Sequence, residues 1–85
     1  MTGEITLKVM FFAYLREAAG TAEVEIKINE GVRVREVLHT LYSMFPNLVR
    51  YRDRIIVSVN HEYAREEEVL KKGDEIALFP PLSGG

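Results

Sequence analysis

Hydrophobic and polar positions alternate along residues 5–13, ITLKVMFFA. Ile5, Leu7, Val9 and Phe11 fall on one face, and Thr6, Lys8, Met10 and Phe12 on the other. A period of two is the signature of a strand. Residues 22–28, AEVEIKI, alternate again, with Val24, Ile26 and Ile28 inward and Glu23, Glu25 and Lys27 outward. The intervening 14–21 read as a connection turning at Gly20, so the two strands form a hairpin. After Asn29-Glu30-Gly31 the period changes. Val34, Val37, Leu38, Leu41, Phe45 and Leu48 follow helical spacing, and Pro46 stops the helix at about Phe45. The N-cap falls on Arg33, a poor capping residue, so the helix rests on its apolar stripe alone.

Residues 54–60, RIIVSVN, read as a further strand, Asn60-His61 as a turn, and 61–64 as a short returning piece. Glu66-Glu67-Glu68 is a polar connection anchored by Val69 and Leu70. Lys72-Gly73-Asp74 is a turn ahead of a final strand, EIALF at 75–79. The order β-β-α-β-(β)-β predicts an α+β roll of four to five strands with one main helix on one sheet face. No linker or repeat divides the chain, and 85 residues suit one domain spanning 1–85.

The same alternation puts large apolar side chains on the face away from the helix. Met10, Phe12, Ile56, Ala77 and Phe79 all count outward. A contiguous apolar patch on a sheet face that should be solvated marks a partner surface, and aromatic anchors suit that role.

Composition removes most catalytic chemistry. There is no cysteine, hence no disulfide, thiolate metal site, iron–sulfur cluster or Cys nucleophile. His39 lies on the polar side of the helix and His61 in a turn, with no ligand spacing between them, so no metal site is expected. Ser43, Ser58 and Ser83 sit in no nucleophile motif, and no Gly-rich phosphate loop occurs. Arg50-Tyr51-Arg52-Asp53-Arg54 reads as a solvated segment, because a net charge of −2 disfavours nucleic acid or an anionic membrane as partner. No stretch reaches the roughly 20 apolar residues of a membrane span and no signal-peptide pattern opens the chain, so a cytoplasmic location is expected.

The chain closes on LFPPLSGG, residues 78–85. Pro80 and Pro81 remove two donors and fix φ, so the sheet ends and residues 80–85 are expected to leave as an extended, flexible tail. Leu82, Ser83, Gly84 and Gly85 would reach on the order of 13 Å further. Two residues without side chains fit a narrow channel and leave the terminal carboxylate open. A carboxylate is a poor electrophile until activated. Adenylation makes it an acyl donor that a thiol or sulfide attacks, so the reacting group would be Gly85 itself.

The chain resembles the ubiquitin-like β-grasp sulfur carriers, and within them the MoaD-like small subunits of molybdopterin synthase. The resemblance covers residues 5–85. It rests on KVMFFAYLREAAG at 8–20, the helix at 34–45, VSVNHEY at 57–63, and KKGDEIALFPPLSGG at 71–85. The form GDE-x-A-x-FPP-x-x-GG is its most specific part, and thiazole-pathway carriers usually lack the FPP segment. Arg33 departs from the family, which often has a Thr-like cap there.

The resemblance implies a carrier that is not an enzyme on its own. A MoeB-like, ubiquitin-activating-type enzyme would adenylate Gly85 with ATP, and no cofactor would be bound by the carrier. A sulfur donor would convert the acyl-adenylate to a thiocarboxylate. The MoaE-like large subunit would receive the tail 80–85, in a heterotetramer, and sulfur would pass to cyclic pyranopterin monophosphate. By the family's pattern Phe12, Arg16, Tyr63 and Phe79 face the partner, beside Met10 and Ile56 from strand alternation. Arg16 and Tyr63 come from the resemblance alone. The same tail would also serve tRNA thiolation or a small archaeal-type protein modifier joined through Gly85. A β-grasp binding module with an incidental Gly-Gly is the reading from another class.

Overall fold

A computed structural model describes residues 3–81. The sequence expectations for Leu82, Ser83, Gly84 and Gly85 lie outside the described residues. Five strands form one sheet: β1 (Glu4–Phe11), β2 (Glu23–Asn29), β3 (Ile56–Val59), β4 (Glu62–Tyr63) and β5 (Glu75–Phe79). Their order across the sheet is β2-β1-β5-β3-β4. β1 and β5 run parallel at its centre, with Val9 opposite Ile76 and Phe11 opposite Leu78. The other neighbours are antiparallel. This is the mixed sheet of a β-grasp, ubiquitin-like roll.

One main helix, α2 (Val34–Met44), follows a six-residue helix, α1 (Tyr14–Ala19). Its apolar stripe, Val34, Val37, Leu38 and Leu41, is buried with Ile5, Leu7, Val9, Phe11, Ile76 and Leu78 in a single core. Phe11 meets Phe45 edge-on at 5.5 Å between ring centroids. Burying each such side chain contributes about 1.5–3 kcal/mol.

The helical stripe ran to Leu48 in the sequence, and the structure divides it. α2 ends at Met44, and Pro46 opens a 3-10 helix, Pro46–Tyr51, that carries a fully buried Leu48. Proline suits that first position because its missing N–H would be unpaired there anyway.

The expected connection at 14–21 contains α1, which needs correction. Leu15 is fully buried, with Ala18 and Ala19 packed against the core. The spacing i, i+3, i+4 was present, but six residues are too few to establish a period. Gly20 does end this segment. It closes α1 at φ 78°, and its N–H donates to the Arg16 carbonyl at 2.8 Å.

Arg33 offers no side-chain acceptor, yet every donor of the first turn of α2 is paired. The Val34 and Arg35 N–H groups donate to the carbonyls of Glu68 and Glu66 at 2.9 and 3.0 Å, and the Glu36 N–H to that of Arg33 at 3.0 Å. The Glu36 carboxylate reaches back to the Arg33 N–H at 2.7 Å. The acidic connection 66–68 therefore caps the helix with its backbone. Its side chains add exposed ion pairs from Arg35 to Glu66 and Glu67. Of its two expected anchors only Leu70 is buried. Val69 is 46% exposed and forms a bridge with Arg33 instead.

Glu36→Ala is expected to cost about 0.5–1 kcal/mol in chemical denaturation, since one exposed cap bond and a favourable dipole contact are lost. An unchanged midpoint would mean that the 66–68 carbonyls suffice.

Candidate functional site

The outer face of the sheet is built from two rows of cross-strand neighbours. In the first, Met10 lies opposite Ala77, Ala77 opposite Ser58, and Ser58 opposite Tyr63, across β1, β5, β3 and β4. In the second, Phe79 lies opposite Ile56. Phe12, one residue past the end of β1, stacks on Phe79 at 4.6 Å between centroids and 7° between planes. Small residues thus occupy the middle and large ones the edges. The result is an apolar cavity of about 600 Å³, floored by Ala77 and Ser58 and walled by Met10, Phe12, Ile56, Tyr63 and Phe79. Ordinary ligand pockets begin near half that volume.

Two local features aim the walls. The Phe12 N–H donates to the Leu78 carbonyl at 3.1 Å, which holds the end of β1 to β5. The chain then turns sharply at Ala13, with φ 54° and ψ −135°. This left-handed value is strained for a residue with a Cβ, and such strain is tolerated where surrounding contacts fix it. On the far wall, Tyr63 is 81% exposed although it lines the cavity. A large aromatic ring left open to water beside an apolar floor is poised for a partner's surface.

Pro80 and Pro81 are half-buried and complete the rim. The described residues therefore end at the edge of the cavity. Among the described lining residues only His61 and Tyr63 are titratable.

Strand alternation had brought Met10, Phe12, Ile56 and Phe79 together, and the structure groups them. Tyr63, taken from the resemblance, joins them. Arg16 does not line the cavity; it lies exposed on α1, which starts two residues after Phe12. Sequence reasoning missed Ser58 as floor and His61 and Ala13 as rim. Ser58 shares the alternation face of Ile56, so the signal existed, but a lone serine did not read as part of an apolar surface.

The other side of the molecule offers less. A polar cleft of about 160 Å³ is lined by Arg35, Leu38, His39, Tyr42, Arg52, Asp53 and Glu66. Burial, then the negative charges of Glu66 and Asp53, push the Tyr42 hydroxyl above the usual tyrosine range. Both charge signs line this cleft, so it favours neither anion nor cation. His39 is exposed there. The segment 50–54 is also exposed except for Tyr51, whose ring lies 5.0 Å from that of Tyr14. Among the described residues no helix is long and apolar enough to cross a membrane.

A family model described as the ThiS family matches residues 9–85. The chain belongs to that family. The molybdopterin synthase sulfur carrier subunit of Arabidopsis thaliana is 32% identical over 99% of this chain and 88% of its own length. That of Chlamydomonas reinhardtii is 37% identical over 93% of this chain and 98% of its own. Among solved structures, SAMP1 from Haloferax volcanii superposes with a TM-score of 0.84 at 35% identity, covering 94% of this chain and 99% of that one. Subunit 1 and 2 of the molybdopterin-converting factor from Helicobacter pylori have been solved as a complex. The match there has a TM-score of 0.68 at 23% identity over 95% of this chain and 100% of that one, a likeness of fold alone.

Proposed function

We propose that this ThiS-family protein is the sulfur carrier subunit of molybdopterin synthase. The observation that carries this reading is near-full-length similarity to curated carriers of that name. The geometry agrees with it. The apolar cavity has Pro80 and Pro81 on its rim, so a partner seated on it is placed beside the start of the 80–85 segment.

In this reading the chain supplies no catalytic side chain. The Gly85 carboxylate is activated as an acyl-adenylate by an ATP-using, ubiquitin-activating-type enzyme. Sulfide equivalents from a donor then displace AMP and leave a thiocarboxylate. Residues 80–85 thread into the large subunit while Met10, Phe12, Ile56, Tyr63 and Phe79 dock against it, with Arg16 flanking from α1. The thiocarboxylate sulfur passes to cyclic pyranopterin monophosphate. Two sulfurs per product suit a heterotetramer with two carriers. The domain is a single unit over 1–85, and its working compartment is the cytoplasm.

Protein bearing a Gly85 thiocarboxylate, mixed with the large subunit and cyclic pyranopterin monophosphate, is expected to yield molybdopterin. The plain carboxylate form yields none. No product with a large subunit known to be active would move the assignment to the second reading. That reading is a protein modifier or tRNA-thiolation carrier, and the likeness to SAMP1, a small archaeal modifier protein, favours the modifier.

A further inference from the structure

The far wall of the cavity stands on the β3–β4 hairpin, which has little of its own to hold it. β4 is two residues long and exposed. Its turn requires left-handed backbone at both Asn60 and His61, with φ of 54° and 72°. Asparagine tolerates that region and histidine less so. His61 and Tyr63, which line the cavity, depend on this turn for their position.

A pair of side chains ties the turn down. Asn60 Nδ2 donates to Asp74 Oδ1 at 2.8 Å. The other carboxylate oxygen, Asp74 Oδ2, accepts the Lys71 N–H at 2.7 Å. Asn60 Oδ1 accepts the Glu75 N–H at 2.9 Å, and the Asn60 N–H donates to the Glu75 carbonyl at 2.8 Å. The hairpin turn is thereby joined to the Lys71–Asp74 turn that launches β5, the strand carrying Ala77 and Phe79. Neither side chain lines the cavity.

We propose that Asn60 and Asp74 are positioning residues for docking: their clamp sets His61 and Tyr63 against the floor that β5 provides. The proposal rests on the carrier reading for the identity of the partner. It also gives the aspartate of the Gly73-Asp74-Glu75 motif a task that neither the core nor the tail requires.

The bond pattern allows a test by exchange. In Asn60→Asp two carboxylates face each other and the bond between them is lost. In Asp74→Asn the amide NH2 takes the place of one of the two oxygens that accept from Asn60 Nδ2 and the Lys71 N–H, so in this geometry one donor faces another. In the double variant Asp at 60 accepts the Glu75 N–H with one oxygen and the position-74 amide N–H with the other. The position-74 oxygen still accepts from Lys71. All three side-chain bonds and the net charge return.

Titration of the unmodified carrier with the large subunit by calorimetry reads the outcome, well below the melting temperature of every variant. Each single variant is expected to bind about tenfold more weakly, the equivalent of about one good hydrogen bond. The double variant is expected to return to within about twofold of the parent. In a Tyr63→Ala background the single variants should cost clearly less than in the parent, because the larger of the two side chains they position is already gone. Singles that bind like the parent, or a double no better than the singles, overturn the proposal. Should the parent itself not bind, the carrier reading fails and the clamp is judged separately. Amide exchange at Ala64, whose N–H donates to Val57, should then quicken in the singles and recover in the double. Exchange unchanged by the singles overturns the proposal in that case too.

Discussion

Removing Gly85, or adding one residue after it, is expected to lower sulfur transfer at least a hundredfold while leaving thermal unfolding unchanged. A docked carrier delivers its reacting carbon at a distance fixed by chain length. One residue more or less moves that carbon by about 3.5 Å in an extended segment, and misplacement by even 1 Å can cost about a hundredfold in rate. The core gives no reason for an effect on stability, since it is assembled from residues between Ile5 and Leu78. The measurements are the synthase assay on activated variants and a melting curve on each. Activity that survived either change would defeat the carrier reading and leave a binding module in its place.

Phe79→Ala is expected to weaken binding to the large subunit about thirtyfold or more, the scale of an interface hot spot. The same change should cost the isolated domain less than about 1.5 kcal/mol. Phe79 is only half-buried, and its ring rests on Phe12 rather than in the core. Its neighbour Leu78 is the internal contrast. That side chain is fully buried on the opposite face, and its loss to alanine belongs to the 2–5 kcal/mol class of core truncations. Calorimetry and denaturant titration on the two variants separate the faces. If Phe79→Ala damaged stability more than binding, Phe79 would belong to the core and the docking face would need redrawing.

The alternation of β1 and β2 was legible because each strand has one buried face and one that is not. Period two therefore survives in the residues, and a slip by one would have exposed Leu7 and Val9. The long helix was legible for the same reason at period 3.6. What escaped was short or depended on contacts distant in sequence. α1 spans too few residues to show a period. The cap of α2 comes from carbonyls at 66 and 68, some 30 residues away, so Arg33 looked like a weak start when the start was merely non-local. Val69 looked like an anchor because apolar character alone does not tell which of two neighbours faces in. At the site, the large walls and the outward direction of Ala77 were readable, and the place of Ser58 in the floor was not. A concavity is made by what is missing, and only the pairing of Ala77 with Ser58 shows where that is.

The parallel pairing of β1 with β5 joins residues 8–11 to residues 75–78, and β5 lies between β1 and β3. Closing so long a loop is entropically slow and cannot be bypassed by local structure. During synthesis the sheet has no centre until residues 75–79 have emerged. A product cut short before Phe79 lacks the strand that carries both the core and the docking floor. Such fragments lack the middle of the sheet, so the topology makes folding itself a check that synthesis has passed β5.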